Sequence, residues 1–266
     1  MSKLKILVAT HKQAPMPTNR DLYLPILVNA KRNYQVGIDL DYQRDDVDEN
    51  ISHKNANYNE LTAIYWAWKN LSSVDAVGLV HYRRFFFKSG RKNKFEHLID
   101  QNDAEKLLTK YDVILPKKRN YYIETNYSHY IHAHHEEPLL EVRNILIEAY
   151  PEYVESFDTV MNRNQAHMFN MFIMKKAQFN AYATWLFDVL EQLENRIDIS
   201  NYSVQEARVF GYVAELMMDV WIETNQINYV EMKWSMTGKK QTVKKAYNFL
   251  HRKFVKTNVD SSQTHF

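Results

Sequence analysis

The chain has 266 residues, of which 45% are hydrophobic and 25% are charged, proportions that are typical of a globular protein. It contains no cysteine, which excludes disulfides, zinc–thiolate sites and a cysteine nucleophile and fits a reducing cytosol. Its five glycines form neither of the glycine-rich phosphate-binding patterns, so a Walker-type NTPase or a fingerprint-bearing dinucleotide enzyme is not expected.

The formal net charge of +2 hides an uneven distribution. Seven Lys and Arg residues and no acid lie in 239–256, so the rest of the chain carries a formal charge of −5. A mildly acidic body argues against a nucleic-acid-binding protein with a broad basic face. No apolar run is long enough to span a membrane, and the apolar stretch near the N-terminus is too short for a signal peptide. The sequence therefore predicts a cytoplasmic protein.

The first half of the chain alternates between predicted strands and a predicted helix. Residues 5–10 read as a strand, and the polar, aspartate-rich segment 38–59 reads as a loop. Residues 60–70 place apolar side chains at helical spacing. Residues 75–82 form a short apolar run that is typical of a strand covered on both faces.

The second half continues the alternation, with more helix. The remaining predicted elements are a helix at 96–110, a strand at 112–115, a long loop or a loop with an inserted helix at 117–137, a helix at 139–150, a strand at 170–175, and helices at 178–195 and 203–218. We therefore expect an α/β protein with a single Rossmann-like mixed sheet and helical additions in its C-terminal half. We predict one domain over 1–238 and a separate basic helix and tail over 239–266.

The strand at 75–82 ends in His81-Tyr82-Arg83-Arg84. Open α/β sheets place their ligands at the carboxyl ends of such strands. Two adjacent arginines there indicate an anionic ligand, because the guanidinium fork matches phosphate geometry and stays charged. The alternative is that one arginine faces solvent while the other pairs with a structural carboxylate.

Four sequence blocks carry a resemblance to a known family. They are ATHK at 9–12, the run from Asp48 through Asn57 into ELTAIYWAWKN at 60–70, VGLVHYRRFF at 77–86, and RVFGYVAE at 208–215. With these blocks the chain resembles a bacterial family that is defined by a domain of unknown function, carries the HYRR motif and occurs in capsular and exopolysaccharide gene clusters. Its members are regarded as glycosyltransferases.

The resemblance implies the GT-A type of sheet found in nucleotide-sugar transferases. Many of these enzymes carry an Asp-x-Asp motif that binds a metal where this chain has His81-Tyr82-Arg83-Arg84. The resemblance therefore implies that Arg83 and Arg84 neutralise the donor diphosphate without a metal. The alternative keeps Mg²⁺ or Mn²⁺ on the aspartates of the acidic loop, namely Asp45, Asp46 or Asp48.

The resemblance also implies the remaining site residues. Those expected to contact substrate are Thr10, His11, Lys12, Asn57, Glu60, Arg83, Arg84, Asn170 and Arg208. Three residues are candidates for the catalytic base, and the sequence does not separate them: His81, Asp48 and Glu215. Glu60 is either an acid favoured by the helix dipole or, as we prefer, the partner of one arginine of the pair.

Four histidines lie within seven residues, at positions 129, 132, 134 and 135. Their spacing matches no recognised zinc motif. We therefore favour a role in an acceptor-binding loop, or ordinary surface positions, over a metal site.

The function implied is transfer of a hexose, galactose being one candidate, from a nucleoside diphosphate sugar to a lipid-linked oligosaccharide in surface polysaccharide synthesis. A UDP-sugar is the expected donor. Two alternatives remain: a non-catalytic carbohydrate- or nucleotide-binding module, and a different phosphate-handling transferase that uses the same arginines.

The C-terminal segment predicts peripheral attachment to the inner face of the membrane. Apolar residues at helical spacing (Val243, Tyr247, Leu250 and Phe254) alternate with its basic residues. Basic amphipathic helices lie on anionic membrane surfaces. The alternative is that this apolar face packs against the body of the protein.

Overall fold

The computed structural model of the protein describes residues 3–36, 41–88 and 95–237. The predicted helix and tail at 239–266 lie outside the described residues. Their separation from the body and their attachment to a membrane therefore stay predictions.

Nine strands of the described chain form one sheet. They are β1 (Leu4–Thr10), β2 (Tyr23–Leu27), β3 (Gln43–Arg44), β4 (Ala76–His81), β5 (Arg84–Phe86), β6 (Val113–Pro116), β9 (Phe172–Lys175), β10 (Tyr229–Met232) and β11 (Trp234–Met236). Two further short strands pair with each other: β7 (Arg119–Asn120) and β8 (Gln165–Ala166).

The described α-helices cover both faces of this sheet. They are α1 (Ala30–Asn33), α2 (Asn55–Tyr58), α3 (Leu61–Asn70), α4 (Gln101–Leu108), α5 (Asn126–Ile131), α6 (Glu137–Ala149), α7 (Val154–Asn162), α8 (Lys176–Glu194) and α9 (Val209–Thr224). Within the described ranges, no helix is both long and apolar enough to cross a bilayer.

The main path of the sheet runs in the order β10-β6-β9-β4-β1-β2-β3. The β1–β2, β1–β4, β2–β3 and β6–β10 pairs are parallel, whereas β9 lies antiparallel between β4 and β6. This mostly parallel mixed sheet confirms the predicted α/β class of the GT-A type. The antiparallel strand matters for the site, because it brings the amino end of β9 beside the carboxyl end of β4.

Both faces of the central strands are apolar, as the continuous run in β4 predicted. Alternate residues pack into two separate cores, with Val77 and Leu79 on one side and Val80 on the other. Gly78 lies where β4 meets its neighbours most closely. A Cβ at that position would lie 3.0 Å from both the Phe172 carbonyl oxygen and Ile173 Cγ1, so the packing leaves little room for a side chain.

Several local expectations differ from the structure. The predicted helix at 96–110 begins only at Gln101, because the Asp100 side chain accepts a hydrogen bond from the Asp103 amide (2.9 Å) and caps α4 there. The predicted loop at 38–59 contains β3 and α2, and α5 is the helix inserted in the segment 117–137.

The sequence pattern missed β2, whose run is interrupted by Pro25. Pro25 pairs with Val8 of β1, but β3 pairs only with Ile26 and Leu27. The proline therefore lies where β3 does not flank the strand, and its missing N–H is tolerated.

Candidate active site

The candidate site lies where the carboxyl end of β4 meets the segment that leads into β9. The pairing of Leu79 with Phe172 sets the register of these antiparallel strands. His81, at the end of β4, therefore lies beside Phe169 and Asn170, which precede β9. The N-terminal turns of α3 and α9 approach the same place.

Asn170 joins three elements in this region. Its buried side-chain amide donates to Glu60 Oε1 (2.7 Å), just before α3, and to the Gly211 carbonyl (3.2 Å) of α9. Asn170 and Phe169 both adopt positive φ angles, 51° and 75°. Asparagine tolerates this conformation, whereas a phenylalanine there is uncommon. Residues held in this way tend to cluster at functional sites.

Phe169 contacts the end of β4 through its carbonyl and its ring. His81 Nε2 lies 2.6 Å from the Phe169 carbonyl oxygen, so this nitrogen carries the proton and donates. The Arg84 guanidinium lies over the Phe169 ring, 4.3 Å from its centroid. Burial lowers the pKa of His81, and the charge of Arg84 acts in the same direction while that of Glu60 opposes it.

Arg84 shares this partly buried space with two carboxyl groups. Burial lowers its pKa, and the charges of Glu215 and Glu60 oppose that change. For Glu215, burial raises the pKa to about 8; the nearby charge of Glu60 adds to this, and that of Arg84 counteracts it. Glu215 is therefore mostly protonated at neutral pH. A carboxyl group with a pKa in this range is suited to proton transfer.

Gly211 fixes how closely α9 approaches the site. A Cβ there would lie 2.4 Å from Asn59 Nδ2, so a side chain would displace Asn59. Asn59 in turn accepts a hydrogen bond from Arg208 Nε (2.7 Å) and donates to the Arg208 carbonyl (3.3 Å). Asn57 donates to the Ala207 carbonyl (2.7 Å), which ties α2 to the start of α9. The Asn57 side chain is therefore engaged in a hydrogen bond between structural elements. Arg208, which bonds to Asn59, lies at the margin of the site.

A second, exposed cluster surrounds Tyr82 in the turn between β4 and β5. Lys12 lies 5.9 Å and Arg83 5.2 Å from the ring centroid, and the His11 ring packs edge-on at 5.4 Å. Thr10 is buried and shapes the turn after β1, because its hydroxyl donates to the Lys12 carbonyl (2.6 Å). The two adjacent arginines thus have different surroundings. Arg83 is exposed, whereas Arg84 faces the carboxyl groups of Glu60 and Glu215.

Glu60, His81, Arg84, Asn170 and Glu215 form what we call the inner site. Two of its buried polar atoms have no partner among the described residues. They are Arg84 Nε, a donor, and Asn170 Oδ1, an acceptor. Unpaired buried groups are costly, and each one in a folded protein requires an explanation. One donor and one acceptor in the same region suit a ligand that bears hydroxyl groups.

In the acidic loop, the carboxylates of Asp45 and Asp46 are occupied by protein donors. Asp45 is fully buried and accepts hydrogen bonds from the backbone amides of Asn29 (2.9 Å) and Ala30 (3.0 Å) and from the hydroxyls of Ser52 (2.5 Å) and Thr62 (2.7 Å). Asp46 forms two 2.8 Å bonds with Arg44. Across the described part of the chain, no group of three or more His, Asp or Glu side chains is arranged to hold a metal.

Asp48 lies apart from the other base candidates. The loop around it bonds to the far half of α3, where Trp66 Nε1 donates to the Val47 carbonyl (3.0 Å) and Asn70 donates to the Glu49 carbonyl (2.9 Å). Glu60 precedes the first residue of the same helix. At 1.5 Å per residue, the two regions are separated by roughly 9–15 Å along α3. The structure therefore brings His81 and Glu215 together and leaves Asp48 outside.

The histidine cluster is divided among different partners. The Nδ1 atoms of His129 and His132 lie 2.7 and 3.0 Å from Glu124, and His135 lies 3.3 Å from Glu206. His134 stacks on Tyr212 at 4.1 Å, and burial lowers its pKa to about 4. The four rings therefore do not converge on one metal position.

A broad open depression on α7 is a less suitable site. It is lined by the charged residues Glu155, Asp158 and Arg163 together with uncharged polar and apolar residues. Asp158 is paired with Arg143 and Arg163 with Glu223, so these charges are already compensated. We therefore place the candidate site at the end of β4.

Comparison with known proteins identifies a family and a similar structure. The family described as "Domain of unknown function (DUF4422)" matches residues 5–226. The apo structure of the WbbM bifunctional glycosyltransferase superposes with a TM-score of 0.79 at 29% sequence identity, over 89% of this chain and 46% of that chain. The chain thus spans about half the length of that protein. A search of curated proteins finds no match.

We predict that Asp45 is a structural residue. Asp45→Asn should lower the free energy of unfolding by about 1–3 kcal/mol, because an amide nitrogen would face hydrogen-bond donors. Asp46→Asn is the matched control and should cost less than about 1 kcal/mol, since it loses only a partly exposed ion pair. Urea unfolding measures both. A rise in wild-type stability with Mn²⁺ that Asp45→Asn abolishes would instead identify a metal ligand.

Proposed function

The chain belongs to the DUF4422 family, and we propose that it is a glycosyltransferase that moves a hexose from a nucleoside diphosphate sugar to a saccharide acceptor. The observation that carries this proposal is the inner site. There a carboxyl group with a raised pKa lies beside a second acid, a guanidinium and two unpaired polar atoms. The similarity to a glycosyltransferase over most of the chain supports the same reaction class.

In this proposal, the donor diphosphate binds to the exposed cations around Tyr82. Lys12 follows β1 and Arg83 follows β4, and these parallel strands are adjacent. Their carboxyl ends form the edge of the sheet at which such folds bind phosphate-bearing ligands. Fixed positive charge at the departing diphosphate stabilises the transition state.

The hexose then lies towards the inner site. Arg84 Nε and Asn170 Oδ1 supply a donor and an acceptor for sugar hydroxyls. We assign Arg84 a further role: it offsets the charge of Glu60 and Glu215, which it faces. In this proposal only Arg83 of the two arginines binds the diphosphate, whereas the sequence predicted that both do.

We propose Glu215 as the general base of an inverting displacement. The acceptor oxygen attacks the anomeric carbon, the bond from that carbon to the diphosphate oxygen breaks, and Glu215 takes the acceptor proton. The transition state resembles an oxocarbenium ion, as in glycoside hydrolysis. His81 is less suited, because burial lowers its pKa and so makes it a weaker base.

The finer assignments rest on the family resemblance. We propose a UDP-sugar as donor, a lipid-linked oligosaccharide as acceptor, and capsule or exopolysaccharide synthesis on the cytoplasmic face of a membrane as the setting. The rival function is a non-catalytic carbohydrate- or nucleotide-binding module. The Lys12–Arg83 cluster would also serve such a module, but binding alone does not require a carboxyl group whose raised pKa suits proton transfer.

Release of nucleoside diphosphate from a panel of nucleotide sugars tests the proposal. Glu215→Gln should reduce release by about 10²- to 10⁴-fold, which is the usual contribution of a general base. Because the base acts when deprotonated, kcat/KM of the wild type should rise with pH through about 8. The control is Glu223→Gln, on the same helix but paired with Arg163, which should keep wild-type activity.

Two results would contradict this account. Unchanged turnover and an unchanged pH profile in Glu215→Gln would remove Glu215 as the base. Binding of a nucleotide sugar with no turnover of any panel member would favour the binding module.

The second prediction concerns the donor diphosphate. Arg83→Ala and Lys12→Ala should each weaken binding of the nucleoside diphosphate by about 1.5–3 kcal/mol, the usual value of a hydrogen bond to a charged group. Lys110→Ala is the control, since this exposed lysine precedes the amino end of β6, at the opposite edge of the sheet. Isothermal titration calorimetry measures the three affinities. Wild-type affinity in both site variants would place the diphosphate elsewhere.

The third prediction is that turnover persists after exhaustive treatment with EDTA. Protein cations neutralise the leaving group in the proposed mechanism, and the Asp45 carboxylate is occupied by protein donors. The assay is nucleoside diphosphate release before and after chelation. Loss of activity that Mn²⁺ or Mg²⁺ restores would support a metal-dependent enzyme instead.

A further inference from the structure

Two adjacent large hydrophobic side chains are highly exposed to solvent in the loop between β7 and α5. Tyr122 is 80% exposed and Ile123 is 91% exposed. Single exposed apolar residues are ordinary, and Val36 and Val204 are examples in this chain. A contiguous pair at the tip of a loop is different, because it forms a small apolar patch with nothing of the described chain covering it.

The backbone holds this tip in place. The Tyr122 amide donates to Asn120 Oδ1 (2.7 Å), and the Tyr122 carbonyl accepts from Asn164 Nδ2 (3.3 Å). The Tyr121 amide donates to the Asn164 carbonyl (2.7 Å). Tyr122 has a φ of 61°, in the left-handed region that a bulky residue rarely adopts. The chain therefore maintains an unfavourable backbone conformation that leaves two apolar side chains in water.

Positive charge lies immediately before the tip. Lys117, Lys118 and Arg119 are consecutive; Lys117 and Arg119 are exposed, and the ammonium of the half-buried Lys118 donates to the Tyr229 hydroxyl (3.3 Å). The acid that follows the tip, Glu124, is engaged by His129 and His132. The segment 117–123 thus carries two exposed cations, Lys117 and Arg119, beside two exposed apolar residues.

This segment borders the candidate active site. The charge of Arg119 acts on Glu215, and that of Glu215 acts on Tyr121. Whatever binds to the tip therefore lies close to Glu215.

We propose that residues 117–123 form a docking surface for an anionic lipid bilayer. Tyr122 and Ile123 enter the headgroup region, where tyrosine is favoured, and the exposed Lys117 and Arg119 contact lipid phosphates. A bilayer fits better than a protein partner. The apolar patch consists of only two residues, far less than a stable protein interface buries, whereas basic residues and a small apolar anchor together suffice for a charged membrane. The inference does not depend on the proposed reaction.

The chain contains no cysteine, so a single introduced thiol can be labelled uniquely. Ile123→Cys in the full chain carries an environment-sensitive fluorophore, and Val204→Cys, equally exposed at 91%, is the matched control. With vesicles of phosphatidylcholine and phosphatidylglycerol, the label at 123 should shift to shorter wavelength and the label at 204 should not. Vesicles of phosphatidylcholine alone should produce little shift. An unchanged spectrum at 123, or equal shifts at both positions, would overturn the proposal.

Co-sedimentation of unlabelled full chain with the same mixed vesicles separates this surface from the basic C-terminal segment. Tyr122→Ser combined with Ile123→Ser should weaken partitioning about tenfold, because the apolar anchor is lost. Val36→Ser combined with Val204→Ser should partition as the wild type does. Equal pelleting of the tip variant and the wild type would show that membrane contact does not use this loop.

Discussion

Two carboxyl groups and one guanidinium share a partly buried space at the end of β4, and the architecture around them serves to hold them there. Glu60 and Glu215 would repel each other if both were ionised with nothing between them. Arg84 offsets that repulsion, and protonation of Glu215 near neutral pH reduces it further. Removing the arginine would leave buried charge uncompensated, which is far more costly than the pair itself is stabilising.

The neighbouring residues follow from this constraint. Glu60 is fixed by Asn170, which needs a left-handed backbone to reach both Glu60 and the Gly211 carbonyl. Gly211 has no side chain, so α9 comes close enough to place Glu215, one helical turn later, in the same space. Changes at Asn170 or Gly211 would consequently alter the surroundings of Glu215, and through them its pKa. The exposed cations at Tyr82 bind the anionic part of the donor in the mechanism we propose.

The local features of this arrangement can be predicted from the sequence, whereas the features that depend on turns and tertiary packing cannot. The apolar run of β4 predicted a buried strand, which the structure confirms, and its cationic end indicated the candidate site, because both signals are local. Arg83 is exposed and Arg84 faces the carboxyl groups because the tight turn between β4 and β5 directs the two side chains differently. The sequence does not reveal the geometry of that turn. Asp48 looked like a base candidate next to a motif, but its loop folds against the far half of α3. The sequence analysis missed Phe169, because no residue pattern predicts a positive φ at a phenylalanine. The neighbouring Asn170, a residue type that tolerates positive φ, was the one local signal.

The protonation of Glu215 is the central claim, and infrared difference spectroscopy measures it directly. On raising the pH, the wild type should lose the carbonyl stretch of one protonated carboxyl group with a midpoint of about 8, and Glu215→Gln should lack that band. A wild-type spectrum that shows only ionised carboxylates at neutral pH would contradict the account.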